Sequence, residues 1–69
     1  MICPLCGREI SISQEIPLGD EVYHRMAECG HCEMKYIFQD QWFAWAQDFR
    51  GGLVALSDDK IRMLVEGVV

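Results

Sequence analysis

The chain has 69 residues, of which 51% are hydrophobic and 25% are charged, so its composition is that of one folded domain and excludes intrinsic disorder. A formal net charge of -5 disfavours a broad electrostatic contact with the phosphate backbone of nucleic acids. No apolar run approaches the roughly 20 residues of a membrane-spanning helix, and no leader precedes Cys3, so we expect a cytoplasmic protein.

The first half of the chain, residues 1 to about 38, has the alternating pattern of a β region. Apolar and polar residues alternate over residues 9–13, which predicts a first strand. Residues 17–20, Pro-Leu-Gly-Asp, are a turn signal. Alternation resumes over residues 22–27 and again over 34–38. This half is therefore predicted to be a three-stranded antiparallel sheet.

The second half, residues 39–69, is predicted to be a helical tail packed on that sheet. Asp40 is a candidate N-cap for a helix over 41–49, which Gly51-Gly52 would end. At about 100° per residue, one stripe of this helix would face the core. That stripe contains Trp42, Trp45, Ala46 and Phe49.

A second helix is predicted to begin after Ser57. Ser57 is a good N-cap, and Asp58 and Asp59 would lie in the first turn, where the helix dipole favours acidic side chains. Its apolar stripe comprises Ile61, Leu64, Val65 and Val68. Leu53, Val54 and Leu56 would extend either helix or form a short connector. The expected fold is therefore α+β, in a single domain.

Two Cys-x-x-Cys pairs, separated by 22 residues, are the strongest signal in the sequence. A two-residue gap lets the chain reverse so that both sulfurs reach one ion at about 2.3 Å. Twenty-two residues suit a hairpin that brings the pairs together, and so small a domain commonly needs such a staple. The predicted ligands of one structural Zn²⁺ are Cys3, Cys6, Cys29 and Cys32. The metal-bound chain would then carry about two more negative charges than the metal-free one.

Glycines accompany both turns, and two other chemistries compete with zinc. Gly7 and Gly30 are expected to adopt the positive φ angles that sharp reversals require. A redox-active dithiol would usually begin a helix beside a βαβ pattern, which is absent. Two disulfides would require an oxidising compartment. Paired cysteines in a reducing compartment favour a metal.

The pattern Cys-Pro-x-Cys-Gly, a hairpin and a second Cys-x-x-Cys resembles the zinc-ribbon superfamily over residues 1–38. The resemblance implies a ribbon fold in which the four cysteines hold zinc. It also implies a partner in the transcription machinery, or nucleic acid. Glu33 departs from the pattern, because a glycine is common after the second knuckle. The chain is also similar to rubredoxin, an iron electron carrier, but the order of the two knuckle types is reversed.

The histidines are expected to play no part in the metal site. His31 lies inside the second knuckle, and imidazole binds zinc well, but four cysteines already fill a tetrahedral site. His31 is therefore predicted to face solvent. His24 is predicted to lie on the surface of the sheet.

We expect a binding protein rather than an enzyme. Four cysteines close the metal site, whereas a catalytic zinc keeps one position open for water. Neither a glycine-rich phosphate loop nor a carboxylate pair is evident. A protein partner, in the transcription machinery or another nucleic-acid-processing machine, or a second copy of the chain, would bind through exposed Phe43 and Met63 on the helical tail.

Nucleic acid is the alternative ligand. Arg8, Arg25 and Lys35 would have to line up across the strands to contact phosphates. Acidic residues surround them in the sequence, so a narrow contact is more plausible than a broad one. The acids are Glu9, Glu15, Glu28 and Glu33.

Overall fold

The computed structural model describes the backbone of residues 1–39 and 42–68 and the side chains of residues 1–39 and 42–66. Within these residues the chain forms one antiparallel sheet followed by a helix. The strands are β1 (Ile12–Gly19), β2 (Val22–Cys29), β3 (Met34–Gln39), β4 (Trp42–Asp48) and β5 (Leu53–Val54), and the helix is α1 (Asp58–Val68). Each strand pairs with its neighbours in the chain, so the sheet is a five-stranded meander.

The prediction of three strands and two helices is wrong. Residues 42–48 form β4, which pairs with β3, and β5 adds a further strand where a connector was expected. Asp40 and Gln41, the predicted cap and first residue of the missing helix, lie outside the described residues. The chain is instead a five-stranded antiparallel sheet followed by one helix.

A β-bulge explains why β4 has the sequence pattern of a helix. Phe43 pairs with Phe38, but Trp45 pairs with Ile37, so Ala44 is an extra residue on β4. The bulge places residues three apart on the same face of the sheet. Trp42 and Trp45 share one face, and Phe43 and Ala46 share the other. Apolar residues three positions apart are also typical of an amphipathic helix, so the sequence pattern of β4 predicts a helix instead of a strand.

The predicted core stripe of that helix is mostly exposed. Trp42, Trp45 and Phe49 are 77%, 38% and 42% exposed, and of the four only Ala46 is buried in the core. The aromatic side chain of this segment that packs on the core is Phe43, whose ring lies edge-on to Phe38 with centroids 5.9 Å apart.

The core lies on one face of the sheet, which we call the core face. It is covered by the N-terminal segment and by α1, each of which contributes buried side chains. The largest fully buried side chains are Tyr36, Phe38 and Leu64, with Cys3 and Cys29 beside them. Because Cys3 and Cys29 belong to this cluster, the apolar core and the cysteine cluster are continuous.

The helix predicted after Ser57 is confirmed. The Ser57 carbonyl accepts a hydrogen bond from the Ile61 amide, and the Ser57 hydroxyl accepts one from the Lys60 amide at 3.4 Å. Leu64 is fully buried, and Ile61 and Val65 are partly buried, as the apolar stripe requires. The side chain of Val68 lies outside the described part of the structure.

The first hairpin is longer than its turn signal suggests. β1 runs through Pro17 to Gly19, and the chain reverses at Asp20 and Glu21, the latter with φ of 62°. Pro17 is accommodated because β1 is an edge strand, where a missing amide hydrogen costs no ladder bond. Across residues 1–39 and 42–68, no helix combines the length and apolar character needed to cross a membrane.

Candidate metal centre

The first cysteine turn, residues 3–7, stands outside the sheet. An isolated bridge between Ile2 and Glu9 closes its base. Within the turn, the Cys3 amide donates to the Arg8 carbonyl at 2.8 Å and the Gly7 amide donates to the Cys3 carbonyl at 2.9 Å. Gly7 has φ of 76°, the left-handed conformation that glycine adopts without strain. This reversal brings Cys3 and Cys6 to the same side of the chain.

The second cysteine turn, residues 29–33, joins the two central strands. Cys29 ends β2 and pairs with Met34 at the start of β3. The left-handed residue here is Glu33, with φ of 55°, and not Gly30, so the expectation for Gly30 is wrong. Glu33 thus holds the position that Gly7 holds in the first turn, directly after the second cysteine. Its carbonyl accepts a hydrogen bond from the Phe49 amide at 3.0 Å, which fixes this conformation.

The two turns bring the four cysteine sulfurs into one cluster. All four Sγ atoms lie within 4.8 Å of one another. Sγ of Cys3 is 3.9 Å from Sγ of Cys32, and Sγ of Cys6 is 3.5 Å from Sγ of Cys29. In a tetrahedral Zn–S₄ site with bonds of about 2.3 Å, the sulfurs are about 3.8 Å apart. The cluster therefore has the size and the donor set of a site for one metal ion.

Each turn contributes one buried and one half-buried sulfur. Cys3 and Cys29 are 0% and 2% exposed, whereas Cys6 and Cys32 are partly exposed. All four are free cysteines. The arrangement is pseudo-symmetric, and the partly exposed pair gives an ion a path into the site.

Tyr36 contacts the cluster from the core. Its hydroxyl is 3.2 Å from Sγ of Cys3, and its side chain is fully buried. When Cys3 is a thiolate, the Tyr36 hydroxyl is the donor, because a thiolate has no proton to give. Burial, together with the hydrogen bond to Cys3, raises the pKa of Tyr36 well above its ordinary value, so the hydroxyl keeps its proton.

The metal-free cluster cannot ionise evenly. Burial opposes ionisation of Cys3, but hydrogen bonds from Tyr36 and from the amides of Leu5 and Cys6 outweigh it and lower the pKa of Cys3 to about 6. Burial and the neighbouring sulfurs, including the negative charge on Cys3, raise the pKa of Cys32 to about 12.

Cys6 shows the same competition. The Arg8 amide favours its thiolate, but burial and hydrogen bonds to Cys29 and Cys3 raise the pKa of Cys6. One thiolate in the cluster therefore resists the formation of the next. A bound cation removes this repulsion and permits full ionisation.

The structure places the histidines where the sequence predicted. His31 is exposed, and the cluster found among the described residues consists of the four cysteines without it. His24 lies half-buried on the sheet, on the face opposite the core, with its ring edge-on to Trp45 at a centroid distance of 5.8 Å.

The residues predicted to bind a partner lie in different surroundings. Met63 is 47% exposed on α1, as expected. Phe43 is half-buried against the core, so its predicted exposure is wrong. Phe43 lines a groove of about 370 Å³ between β4 and α1, together with Trp42, and Met63 is not on the walls of that groove.

The cations predicted to contact nucleic acid do not align. Arg25 pairs with Phe38 on the core face and forms an ion pair with Glu15, with Nε and Oε1 3.4 Å apart. Lys35 pairs with Glu28, which lies three positions after Arg25 on β2. Because side chains alternate between the two faces along a strand, Lys35 projects from the face opposite Arg25. Arg25 and Lys35 therefore cannot form one basic patch.

Sequence reasoning missed Tyr36 and Glu33. The alternation identifies Tyr36 only as a strand residue, although a buried tyrosine needs a partner for its hydroxyl and the nearby cysteines offer one. Glu33 departs from the family pattern, and its position directly after the second cysteine is the sign in the sequence that it adopts positive φ.

Comparisons of the chain with protein-family models, with curated proteins and with solved structures found no match. The resemblance to zinc ribbons accordingly rests on the two cysteine turns and on the hairpin between them. What the structure adds is that these turns meet around one common point.

Proposed function

We propose that the chain is a small zinc-ribbon-like binding module whose four cysteines hold one structural Zn²⁺. The observation that carries the proposal is the convergence of the four Sγ atoms within 4.8 Å. Thiolates are the ligands of structural zinc sites, and four of them complete a tetrahedron. The Tyr36 hydroxyl would supply the outer hydrogen bond that such sites use to orient a ligand.

The proposed role of the metal is to hold the fold together rather than to catalyse. A catalytic zinc needs a coordination position for water or substrate, and four sulfurs leave none. The cysteines also tie the N-terminal segment to the turn between β2 and β3, which suits a structural role. We propose that the module, once stabilised by the metal, binds a protein partner. The transcription machinery is one candidate class of partner.

Direct nucleic-acid binding is the weaker candidate. The net charge is -5, and Arg25 and Lys35 project from opposite faces of the sheet. Phosphate contacts dominate nucleic-acid affinity and require aligned cations. A gel shift with steep salt dependence would reverse this preference.

Metal analysis of the purified full chain tests the proposal directly. We expect one equivalent of zinc per chain and a colourless protein, because Zn²⁺ has a filled d shell. A red protein with stoichiometric iron would instead assign a rubredoxin-like electron carrier. A chain that binds no metal and whose circular dichroism is unaffected by a chelator would refute the metal site altogether.

Two variants give the metal analysis a matched control. Cys32→Ser removes one ligand from the second turn and should abolish stoichiometric binding. His31→Ala changes the adjacent exposed residue, which lies outside the cluster, and should retain the full equivalent. Equal loss of metal in both variants would indicate that the turn, rather than the sulfur, had been disrupted.

A further inference from the structure

The sheet has a second face that the described parts of the chain leave uncovered, and we call it the open face. The strand register places its side chains opposite the core face. Its apolar and aromatic residues include Ile16, Val22, His24, Met26, Ile37, Trp42, Trp45 and Leu53. None of them belongs to the core cluster, in which the N-terminal segment and α1 pack against the other face.

The open face is most exposed at its two edges, where its side chains are apolar or aromatic. Trp42 and Leu53 are 77% and 76% exposed, and Ile16 and Trp45 are 43% and 38% exposed. Ile37, at the centre, is 9% exposed because its strand neighbours surround it. Large exposed apolar patches of this kind mark interaction surfaces on soluble proteins.

The charge on the open face is balanced. Among the described residues of the strands, its charged side chains are Glu28 and Lys35, which lie directly opposite each other on β2 and β3. The remaining polar positions are glutamines, namely Gln14, Gln39 and Gln47. The face is therefore neutral on a chain of net charge -5. A strongly basic partner gains little from it, whereas a neutral apolar surface fits it.

The area of the open face suits a weak dimer. Five strands about 4.8 Å apart, with a mean length of about six residues, span on the order of 450 Å² before side-chain relief is counted. A standard interface uses about 800 Å² per partner, and weak reversible complexes use less than about 600 Å². The same face on a second copy is neutral, apolar and of equal extent.

We propose that the open face is the interface of a reversible homodimer, in which two sheets stack across a two-fold axis. Aligned sheets pack about 10 Å apart and interdigitate their side chains, which would bury Ile37 and Trp45 near the axis. The β1 edge is less suited to self-association. Pro17 lacks an amide hydrogen, and the β1 register is interrupted on both sides of the Gln14–Pro17 run.

Analytical ultracentrifugation of the full metal-loaded chain tests the dimer. We expect a concentration-dependent monomer–dimer equilibrium that changes little with salt, because the interface carries no net charge. Leu53→Ser and Trp42→Ser alter the two most exposed positions of the face, and because Trp42 also lines the groove beside α1, Leu53→Ser is the decisive variant. Each should weaken dimerisation at least about 10-fold, while circular dichroism and metal content stay unchanged.

Met63→Ser is the matched comparison, because it removes an exposed apolar side chain from α1, away from the open face. It should leave the dimer intact. A wild-type chain that stays monomeric up to about 1 mM would overturn the proposal. So would a dimer that Met63→Ser weakens and Leu53→Ser does not. Binding of single-stranded RNA to the monomer, lost in Trp42→Ser, would reassign the face to base stacking.

Discussion

The two cysteine turns present their sulfurs alike but are built into the molecule differently. The second turn connects β2 to β3, and the paired strands hold it in place. The first turn has no strand on either side, only the Ile2–Glu9 bridge and local backbone hydrogen bonds. We therefore expect the sheet to hold the second turn in place without metal, whereas the position of the first turn depends on the ion.

Removal of the metal should have the largest effect, and it should loosen the first cysteine turn before the second. Structural zinc contributes apparent binding free energies of about 10–16 kcal/mol, whereas the core of so small a domain supplies about 3–5 kcal/mol. We therefore expect a chelator, or Cys29→Ser, to unfold much of the molecule. Hydrogen exchange should show that residues 1–10 lose protection before β2 and β3.

Unchanged amide protection across residues 1–10 after chelation would show that the first turn stands without metal. Re-addition of Zn²⁺ should restore the chelated wild type but not Cys29→Ser. That pairing separates loss of the ion from irreversible damage to the chain.

Acidification should come next, because the sulfurs of the cluster differ in their pKa values. Without metal, Cys3 of the first turn has a pKa of about 6 and Cys32 of the second turn a pKa of about 12. At neutral pH the metal must therefore displace the proton of Cys32. Each proton released lowers the apparent affinity about 10-fold per pH unit on acidification. Below about pH 6, protonation of Cys3 should steepen the loss further.

Competition with a chromophoric chelator between about pH 5 and about pH 8 measures this slope. Calorimetry in buffers of different ionisation enthalpy counts the released protons. An affinity that is flat with pH would contradict a site made of thiolates.

Tyr36→Phe should have a smaller effect confined to the first turn. It removes the hydroxyl 3.2 Å from Sγ of Cys3 and leaves the buried ring in place. Loss of such an outer hydrogen bond typically weakens a metal site about 10- to 100-fold. The measurement is a competitive zinc titration. Tyr23→Phe changes an exposed tyrosine at the far end of β2 and should leave the affinity as it was.

Glu33→Gly should give the smallest effect and should make the two turns more alike. Glu33 holds φ of 55° where the first turn has Gly7, and a left-handed conformation costs a non-glycine residue about 1 kcal/mol. Urea denaturation of the loaded protein should show stabilisation of about 1 kcal/mol. Gly7→Ala should destabilise by a similar amount. The same sign in both variants would mean that backbone strain does not govern these positions.

Much of the metal centre could be predicted from the sequence, because it follows from local rules. The spacing of Cys3, Cys6, Cys29 and Cys32 implied convergent turns, and the alternation on both sides of the second pair implied the β2–β3 hairpin. The cap at Ser57 likewise predicted α1. Within each cysteine pair, and at the cap, the signal depends on residues within a few positions of one another.

The failures concern features that depend on strand pairing. The extra residue Ala44 gives β4 a three-residue repeat, and only the register against β3 reveals it as a bulge. The pairing of Tyr36 with Cys3 joins residues 33 apart, so no local pattern contains it. The strand register also determines that Arg25 and Lys35 project from opposite faces of the sheet.

The meander topology bears on how the molecule forms. Because each strand pairs with its neighbour in the chain, successive hairpins require only short loops to close, and proteins built from such local contacts fold quickly. The cysteine cluster, by contrast, requires residue 3 to meet residue 32. We therefore expect the hairpins to assemble first and the N-terminal segment to dock last, in a step whose rate in stopped-flow refolding depends on zinc concentration.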